Sequence, residues 1–412
     1  MSQISPCRAI LRMAASIATL MIAALSGNCV LAADLANTPS AEFLGAKIFA
    51  DDSLSASGKM SCASCHDPAH AHAQSNSLAV QVGGAGLDVP GFRSVPSLRY
   101  LNMDIAFFFD REGTPTGGLN RDGRAANLIE QAQRPFLAPH EMANASVEDF
   151  VRRLEAASYA ETFRARFGVQ IFDDAAAAFL AARFALAQFQ LHSPEFRPFD
   201  SKYDLFLRGK QRLSVQELRG LAWFNRPDKG NCSGCHSSAR GSDGSLPLFT
   251  DYTYDNLGVP RNPAIAANAD PAYADFGLCD RTDQAERSDL CGAFKVPTLR
   301  NVATRKVFFH NGRYSSLGDV LRFYVRRDTN PEEFYPVGDD GVVRKFDDLP
   351  PSLQINVNTQ EVPYDRHPGQ SSRLSANEID DVIAFLKSLT DGYDPVTDSA
   401  NPARSLSLIT NP

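Results

Sequence analysis

Apolar residues recur at helical spacing in several separate segments of the chain. After Ser214, the residues Leu218, Leu221 and Phe224 are each three positions apart, which is the spacing of one face of an amphipathic helix. Ser214 and Glu217 stand in the order of a capping box, in which each side chain accepts a hydrogen bond from the other residue's backbone. This pattern predicts a helix that begins just after Ser214.

Further segments carry the same signature. "SANEIDDVIAFLKSL" opens with a second capping box, Ser375 to Glu378, and its predicted buried face consists of Ile379, Val382, Ile383 and Leu386. "SVEDFVRRLEAASYAETFRARF" and the alanine-rich "DDAAAAFLAARFALAQFQLH" predict helices in the first half. Strand-like alternation is scarce, and residues 83–96 and 110–118 are long loops rich in proline or glycine. The pattern therefore predicts an all-α protein with little strand.

Composition and charge narrow the class of protein. The 412 residues are 43% hydrophobic and 22% charged, which is typical of a globular protein and leaves room for two domains. The net charge of −7 offers no basic face for a nucleic acid, so we expect no nucleic-acid partner.

The first 33 residues are typical of a secretory signal peptide. Arg8 and Arg12 precede an apolar run, and small residues follow at Ala32 and Ala33, where we expect cleavage. A retained membrane anchor and a lipoprotein signal ending at Cys29 are the alternatives. No later apolar run is long enough to cross a bilayer. The sequence thus predicts a periplasmic protein with no membrane span in the mature chain.

A two-cysteine, one-histidine cluster occurs twice, as "SCASCH" at residues 61–66 and "NCSGCH" at residues 231–236. C-x-x-C-H is the attachment signature of haem c, in which two thiols join the cofactor and the adjacent imidazole binds the iron. A zinc site and a redox dithiol are the alternatives, but neither copy has the extra ligands or the βαβ setting that these require. The predicted haem residues are Cys62, Cys65, His66, Cys232, Cys235 and His236.

The repeat extends upstream, because "FLGAKIF" precedes the first cluster and "LRGLAWF" the second. Each half is therefore predicted to consist of a helix, a loop and a turn that carries the C-x-x-C-H cluster. We expect an N-terminal haem domain at 34–196, a C-terminal one at 197–392, and a tail at 393–412. Cys279 and Cys291 are the two cysteines of the expected mature chain that lie outside the clusters. In an exported protein they predict a disulfide, with two free thiols as the alternative.

The motifs together resemble the bacterial di-haem cytochrome c peroxidases, in the branch that includes MauG. The likeness rests on both clusters, "DGRAANLIEQAQRPFLAPHEM", "FKVPTLRNVA", "FFHNGRYSSLGDVLRFY" and the last predicted helix. It implies two haem domains facing each other, with a peroxidatic haem in the first and an electron-transfer haem in the second.

The resemblance assigns a polar pair to the peroxidatic iron, Gln131 and Glu141, with Pro135 between them. A carboxylate there moves a proton between the two oxygens of a peroxide, and an amide stabilises the negative charge on the leaving oxygen by donating a hydrogen bond. Without the resemblance, the favoured interpretation is that Gln131 lies on a helix surface and that Glu141 caps a turn or faces solvent in it. In the standard peroxidases a loop histidine closes this iron; the loop "VQVGGAGLDVPGFRSVPS" has none, so we expect an open site.

The second iron is expected to be closed by Tyr324, which stands fourteen residues after the histidine of "FFHNG". The standard peroxidases carry a methionine here, and the MauG branch carries a tyrosine. A phenolate favours higher iron oxidation states, whereas a thioether raises the reduction potential. Tyr324 also falls on the apolar face of its predicted helix, so a plain core tyrosine is the alternative.

Two positions depart from the family pattern. Arg121 stands where the family bridges its haems with a tryptophan, and Ser94 replaces the asparagine that helps to hold a calcium ion between the domains. Backbone carbonyls near Arg305 and Val307 remain as candidate calcium ligands, but one strong ligand is lost, so the sequence does not favour a bound calcium ion.

These features predict a peroxidase that uses hydrogen peroxide to form a high-valent haem and oxidises a protein partner. Removal of peroxide with electrons from a small donor cytochrome is the alternative within the same family. A non-enzymatic di-haem electron carrier or redox sensor is the alternative of another class, and it would need both irons closed.

Overall fold

A computed structural model of the chain describes residues 39–101, 105–281, 283–284 and 286–395. The predicted signal peptide and most of the predicted tail lie outside these ranges. The described part is mostly helical, as predicted. Its helices are α1 (Ala41–Ala50), α2 (Cys62–Cys65), α3 (Leu128–Gln131), α4 (Gln133–Leu137), α5 (Val147–Ala156), α6 (Ala160–Phe167), α7 (Ala175–His192), α8 (Lys202–Leu207), α9 (Val215–Asn225), α10 (Leu317–Arg326) and α11 (Ala376–Lys387).

Strand structure in the described ranges is limited to three antiparallel pairs, with two residues in each strand. The pairs are β1 (Val82–Gly83) with β2 (Val89–Pro90), β3 (Phe108–Phe109) with β4 (Pro115–Thr116), and β5 (Tyr254–Asp255) with β6 (Phe294–Lys295). The expected scarcity of strand is confirmed. The first two pairs are short hairpins that overlap the predicted loops at 83–96 and 110–118 and begin just before them.

Both predicted capping boxes form. The Ser214 hydroxyl accepts from the Glu217 N–H at 3.2 Å, and the Glu217 carboxylate accepts from the Ser214 N–H at 2.6 Å. The corresponding distances for Ser375 and Glu378 are 3.4 and 2.8 Å. Helices α9 and α11 therefore begin where their sequences predict. The predicted helical segment 146–167 divides into α5 and α6, because the Ala157 N–H turns back to the Leu154 carbonyl.

Two pairs of crossing helices organise the two halves. Helix α1 packs on α7, and Gly45 lies so close to the Ala185 backbone that a methyl group there would overlap its carbonyl oxygen. Helix α9 packs on α11 in the same manner, with Gly220 against the Asp381 carbonyl. Both glycines come from the duplicated segments upstream of the cysteine clusters. The repeat in the sequence is thus also a repeat in packing.

Each helix pair belongs to its own hydrophobic core. One core draws on residues between Leu44 and Phe196, and the other on residues between Tyr203 and Leu389. Polar contacts join the two parts; for example, the Arg93 guanidinium donates to both oxygens of Asp275 at 2.6 Å. Across the described ranges, none of the helices combines the length and the apolar character needed to span a bilayer.

Candidate functional site

Both cysteine–histidine clusters open into one cavity of about 850 Å³. Its wall holds every predicted cofactor-binding and catalytic residue: Cys62, Cys65, His66, Gln131, Pro135, Glu141, Cys232, Cys235, His236 and Tyr324. These residues come from positions up to 262 apart in the chain. The fold therefore brings together the groups that the sequence singled out.

The first cluster is a single helical turn, and its histidine is held in one tautomer. The His66 N–H donates to the Cys62 carbonyl at 2.9 Å, which closes the turn. The Nδ1 atom of His66 lies 3.2 Å from the His72 carbonyl and 3.1 Å from the Pro96 carbonyl. Because a carbonyl oxygen only accepts, Nδ1 carries the proton and Nε2 keeps its lone pair. Burial lowers the pKa of His66 to about 4, so the ring is neutral and able to bind a metal.

The second cluster repeats this arrangement. The His236 N–H donates to the Cys232 carbonyl at 2.8 Å, and Nδ1 of His236 donates to the Phe249 carbonyl at 2.7 Å. Burial lowers the pKa of His236 as well. Each cluster thus presents two thiols and one Nε2 lone pair, which is the donor set that haem c attachment requires.

The four thiols have the wrong chemistry for a redox dithiol. Burial raises the pKa of Cys62 to about 12 and that of Cys65 to about 11, and it raises the pKa of Cys232 and Cys235 to about 12. Catalytic dithiols need a lowered pKa. In the described residues no three His, Cys, Asp or Glu side chains are grouped as metal ligands, which argues against a zinc site. The residues fit haem c better than either alternative.

Above the first cluster, two short helices and a turn position the polar pair. Gln131 ends α3, Pro135 lies within α4, and Glu141 follows in a turn that the Ala138 carbonyl closes at 2.9 Å. The β1–β2 hairpin packs on this turn, because the Gly84 N–H donates to the Glu141 carbonyl at 2.9 Å. The Glu141 side chain is 38% exposed and lines the cavity.

The surroundings of Glu141 tune its acidity. Burial raises the pKa of Glu141 to about 7, and the positive charge of Arg124 opposes that rise. Nε2 of His140 lies 3.6 Å from Oε1 of Glu141, and burial lowers the pKa of His140. A carboxyl group with a pKa near neutrality can both take up and release a proton, as a general base and acid must.

His70 and His72, which follow the first cluster in sequence, have their contacts away from the cavity. Nδ1 of His70 pairs with the Asp67 carboxylate at 2.9 Å. His72 is fully buried, and its ring centroid lies 4.1 Å from that of Phe196. Neither side chain lines the cavity. Neither histidine is therefore placed to bind a metal inside the cavity.

Tyr324 lies on α10 and faces the cavity beside the second cluster. Its ring centroid is 5.8 Å from that of Phe309 and 6.0 Å from that of Tyr364. Burial, with a smaller contribution from the Asp255 carboxylate, raises the pKa of Tyr324 above its usual range. The sequence analysis missed Tyr364 and Asp255, which also line this part of the cavity. No spacing pattern connects them with Tyr324, so only the fold could reveal them.

Outside the cavity wall, Cys279 and Cys291 form a disulfide with an S–S distance of 2.08 Å. It lies beside a small apolar cluster that contains Leu278 and Leu290.

Comparison with known proteins identifies the family. The family model described as di-haem cytochrome c peroxidase matches residues 39–212. The methylamine utilisation protein MauG of Paracoccus denitrificans is 35% identical over 376 residues, which cover 88% of this chain and 91% of MauG. This chain is a MauG-like member of the di-haem cytochrome c peroxidase family.

Other relatives of this di-haem peroxidase support the same family assignment. The cytochrome c551 peroxidase of Nitrosomonas europaea is 30% identical over 306 residues, or 70% of this chain and 75% of that protein. The crystal structure of the di-haem peroxidase BthA from Burkholderia thailandensis superposes with a TM-score of 0.80, at 37% identity over 86% of each chain. The predicted family and enzyme class, an oxidoreductase that acts on peroxide, are confirmed. Membership of the family also implies two haem c groups.

Proposed function

We propose that this di-haem peroxidase works in the periplasm, where it uses hydrogen peroxide to oxidise a protein partner. The observation that carries the proposal is Tyr324, a phenol that faces the cavity beside His236. Within the described part of the chain, its hydroxyl forms no hydrogen bond. Tyr324 and His236 would together hold the iron of the second haem.

The residues around the first cluster have distinct roles in this proposal. Bound haem would supply an iron that coordinates peroxide and takes up its oxidising equivalents. His66 would hold that iron through Nε2. Glu141 would move the proton from the inner to the outer peroxide oxygen, and the Gln131 amide would donate a hydrogen bond to the departing oxygen. Pro135 would shape the wall between them.

The second cluster is proposed to hold an iron between His236 and Tyr324. A phenolate is a hard anionic donor, so this site would resist reduction by a small donor protein and would favour retention of an oxidising equivalent. The two hydrophobic cores support a division into haem domains at 34–196 and 197–392 that face each other across the cavity. The first 33 residues would direct export.

Replacement of Tyr324 by methionine tests the proposal. Tyr324→Met should raise the reduction potential of one haem by on the order of 0.1 V, because a thioether stabilises the reduced iron. It should also speed peroxide turnover with a small donor cytochrome. The measurement is a spectroscopic redox titration of the purified holoprotein.

Tyr364→Phe is the matched control, since Tyr364 lines the same cavity and is proposed not to bind the iron. The reduction potentials of both haems in the Tyr364→Phe variant should stay close to those of the wild type. If Tyr324→Met leaves both potentials unchanged while Tyr364→Phe shifts one of them, Tyr324 is not the ligand.

A second candidate within the family is removal of peroxide with electrons from a donor cytochrome. It is favoured by Arg121, which lines the shared cavity at the sequence position where the family carries a charge-transferring tryptophan and which has no redox-active ring. Fast wild-type turnover with a donor cytochrome, unchanged in Tyr324→Met, would support this candidate over oxidation of a protein partner.

A further inference from the structure

Two arginines, Arg121 and Arg305, line the cavity that the two clusters share, and neither forms an ion pair with a carboxylate among the described residues. Arg121 donates to the Ser94 carbonyl at 3.1 Å and to the Ser94 hydroxyl at 2.7 Å. Arg305 donates to the Val95 carbonyl at 2.9 Å and to the Val307 carbonyl at 3.3 Å. All of these acceptors are neutral. The nearby carboxylate of Asp275 is already held by Arg93.

A pair of guanidinium groups in this position is costly unless an anion balances it. Burial lowers the pKa of Arg121 to about 9, with the positive charge of Arg305 contributing part of that decrease. Burial also lowers the pKa of Arg305 to about 10. A desolvated charge is tolerated when it is paired and hydrogen-bonded. Each haem has two carboxylate side chains, and guanidinium groups bind carboxylates in a two-pronged geometry.

The same arginines bind oxygen atoms at the positions where the family resemblance places a calcium ion. The Ser94 hydroxyl accepts from Arg121 and donates to the Phe309 carbonyl at 2.7 Å. The Val307 carbonyl accepts from Arg305. Calcium requires six to eight oxygen ligands, and a guanidinium charge a few ångströms away repels it. The residues present therefore do not fit a calcium ion.

We propose that Arg121 and Arg305 together take the place of a divalent cation between the two haem sites. Their two positive charges equal that of one calcium ion, and they bind the oxygens of Ser94, Val95 and Val307 from inside the protein. The haem carboxylates complete the balance of charge. The protein would then need no calcium, whichever substrate it oxidises.

Metal analysis of the wild-type holoprotein is the first test. After equilibration with calcium chloride and desalting, the protein should hold well below one calcium per chain. Its melting temperature and ferric absorption spectrum should be the same in chelator and in calcium. One calcium retained per chain, or a melting temperature that falls with chelator and recovers with calcium, would overturn the proposal.

Removal of both charges is the second test. The double variant Arg121→Gln with Arg305→Gln should melt below the wild type, and calcium should raise its melting temperature, because the oxygens of Ser94 and Val307 become available. Indifference to calcium in a double variant that carries two haems would overturn the proposal. If the double variant does not load haem, Arg121→Lys keeps the charge and should remain indifferent to calcium; a calcium requirement there would equally refute the proposal.

Arg300→Gln is the matched control. Arg300 is almost fully buried, but it forms a two-pronged ion pair with Asp204 at 2.8 and 2.9 Å. The variant should lose stability, and calcium should not restore it. The readouts are metal content, melting temperature and the ferric absorption spectrum, and none of them measures turnover, so their failure would leave the proposed peroxidase function untouched.

Discussion

At the scale of single residues, the acidity of Glu141 is the property that most directly affects the proposed chemistry. The carboxyl lies on a cavity wall that also holds a cationic group, Arg124, and it lies beside a neutral imidazole, His140. Burial outweighs the cation and raises the pKa of Glu141 to about 7. The proposed base would therefore be protonated in acid and ionised in mild base.

This acidity leads to a prediction about pH. Only the carboxylate accepts a proton from peroxide, so kcat/KM for hydrogen peroxide should rise with pH up to about 7 and then level off. Glu141→Gln should lower kcat/KM by roughly 10²- to 10⁴-fold and abolish this pH dependence. Steady-state kinetics between pH 5 and pH 9 (about two units on either side of the pKa) measure both effects.

The control for that prediction is Glu148→Gln, a change at an exposed carboxylate at the start of α5. It should keep the wild-type rate and pH profile. A Glu141→Gln variant that retains the wild-type rise towards pH 7 would show that another group is the base.

Some residue roles could be read from the sequence and others could not. The C-x-x-C-H spacing identifies Cys62, Cys65 and His66 because attachment chemistry fixes all three within one helical turn. The His66 Nδ1 proton is accepted by backbone carbonyls. Because every residue has such a carbonyl, the sequence gives no pattern from which these two acceptors could be predicted. The placement of the Arg305 guanidinium likewise depends on the tertiary fold.

At the scale of elements, the crossings of α1 with α7 and of α9 with α11 shape the two halves. In each crossing a glycine lets two helix backbones touch. Sequence periodicity predicted these helices and their caps, because both are local properties. It could not say which helix lies against which glycine, since that contact joins residues more than 130 positions apart.

The crossings provide a stability prediction. Gly45→Ala and Gly220→Ala should each lower the free energy of unfolding by about 1–3 kcal/mol, because the added methyl group meets backbone that must move. Gly318→Ala is the matched helical control, since only a side-chain oxygen of Ser316 lies within 4 Å of the new methyl group. It should be neutral or stabilising by about 0.5–1 kcal/mol. Chemical denaturation of the three holoproteins compares them, and equal losses at all three positions would contradict close helix contact as the cause.

At the scale of the whole molecule, the two cores are joined by buried polar contacts around the cavity. Arg93 binds Asp275, and Asp391 accepts from both Arg99 and Tyr100 at 2.9 and 2.6 Å. These contacts link residues 182 to 292 positions apart. Sequence spacing does not encode such distances, and the resemblance alone suggested that the halves meet. The shared cavity is the feature that depends on this assembly.

The central claim is a division of labour: an open iron at His66 and a closed iron held by His236 and Tyr324. Electron paramagnetic resonance of the ferric holoprotein, before and after one equivalent of peroxide, tests it most directly. The predicted spectrum has one high-spin and one low-spin signal, and peroxide should diminish both without an organic radical. Two low-spin signals that peroxide leaves unchanged would mean that a protein group closes the first iron, and they would contradict the account.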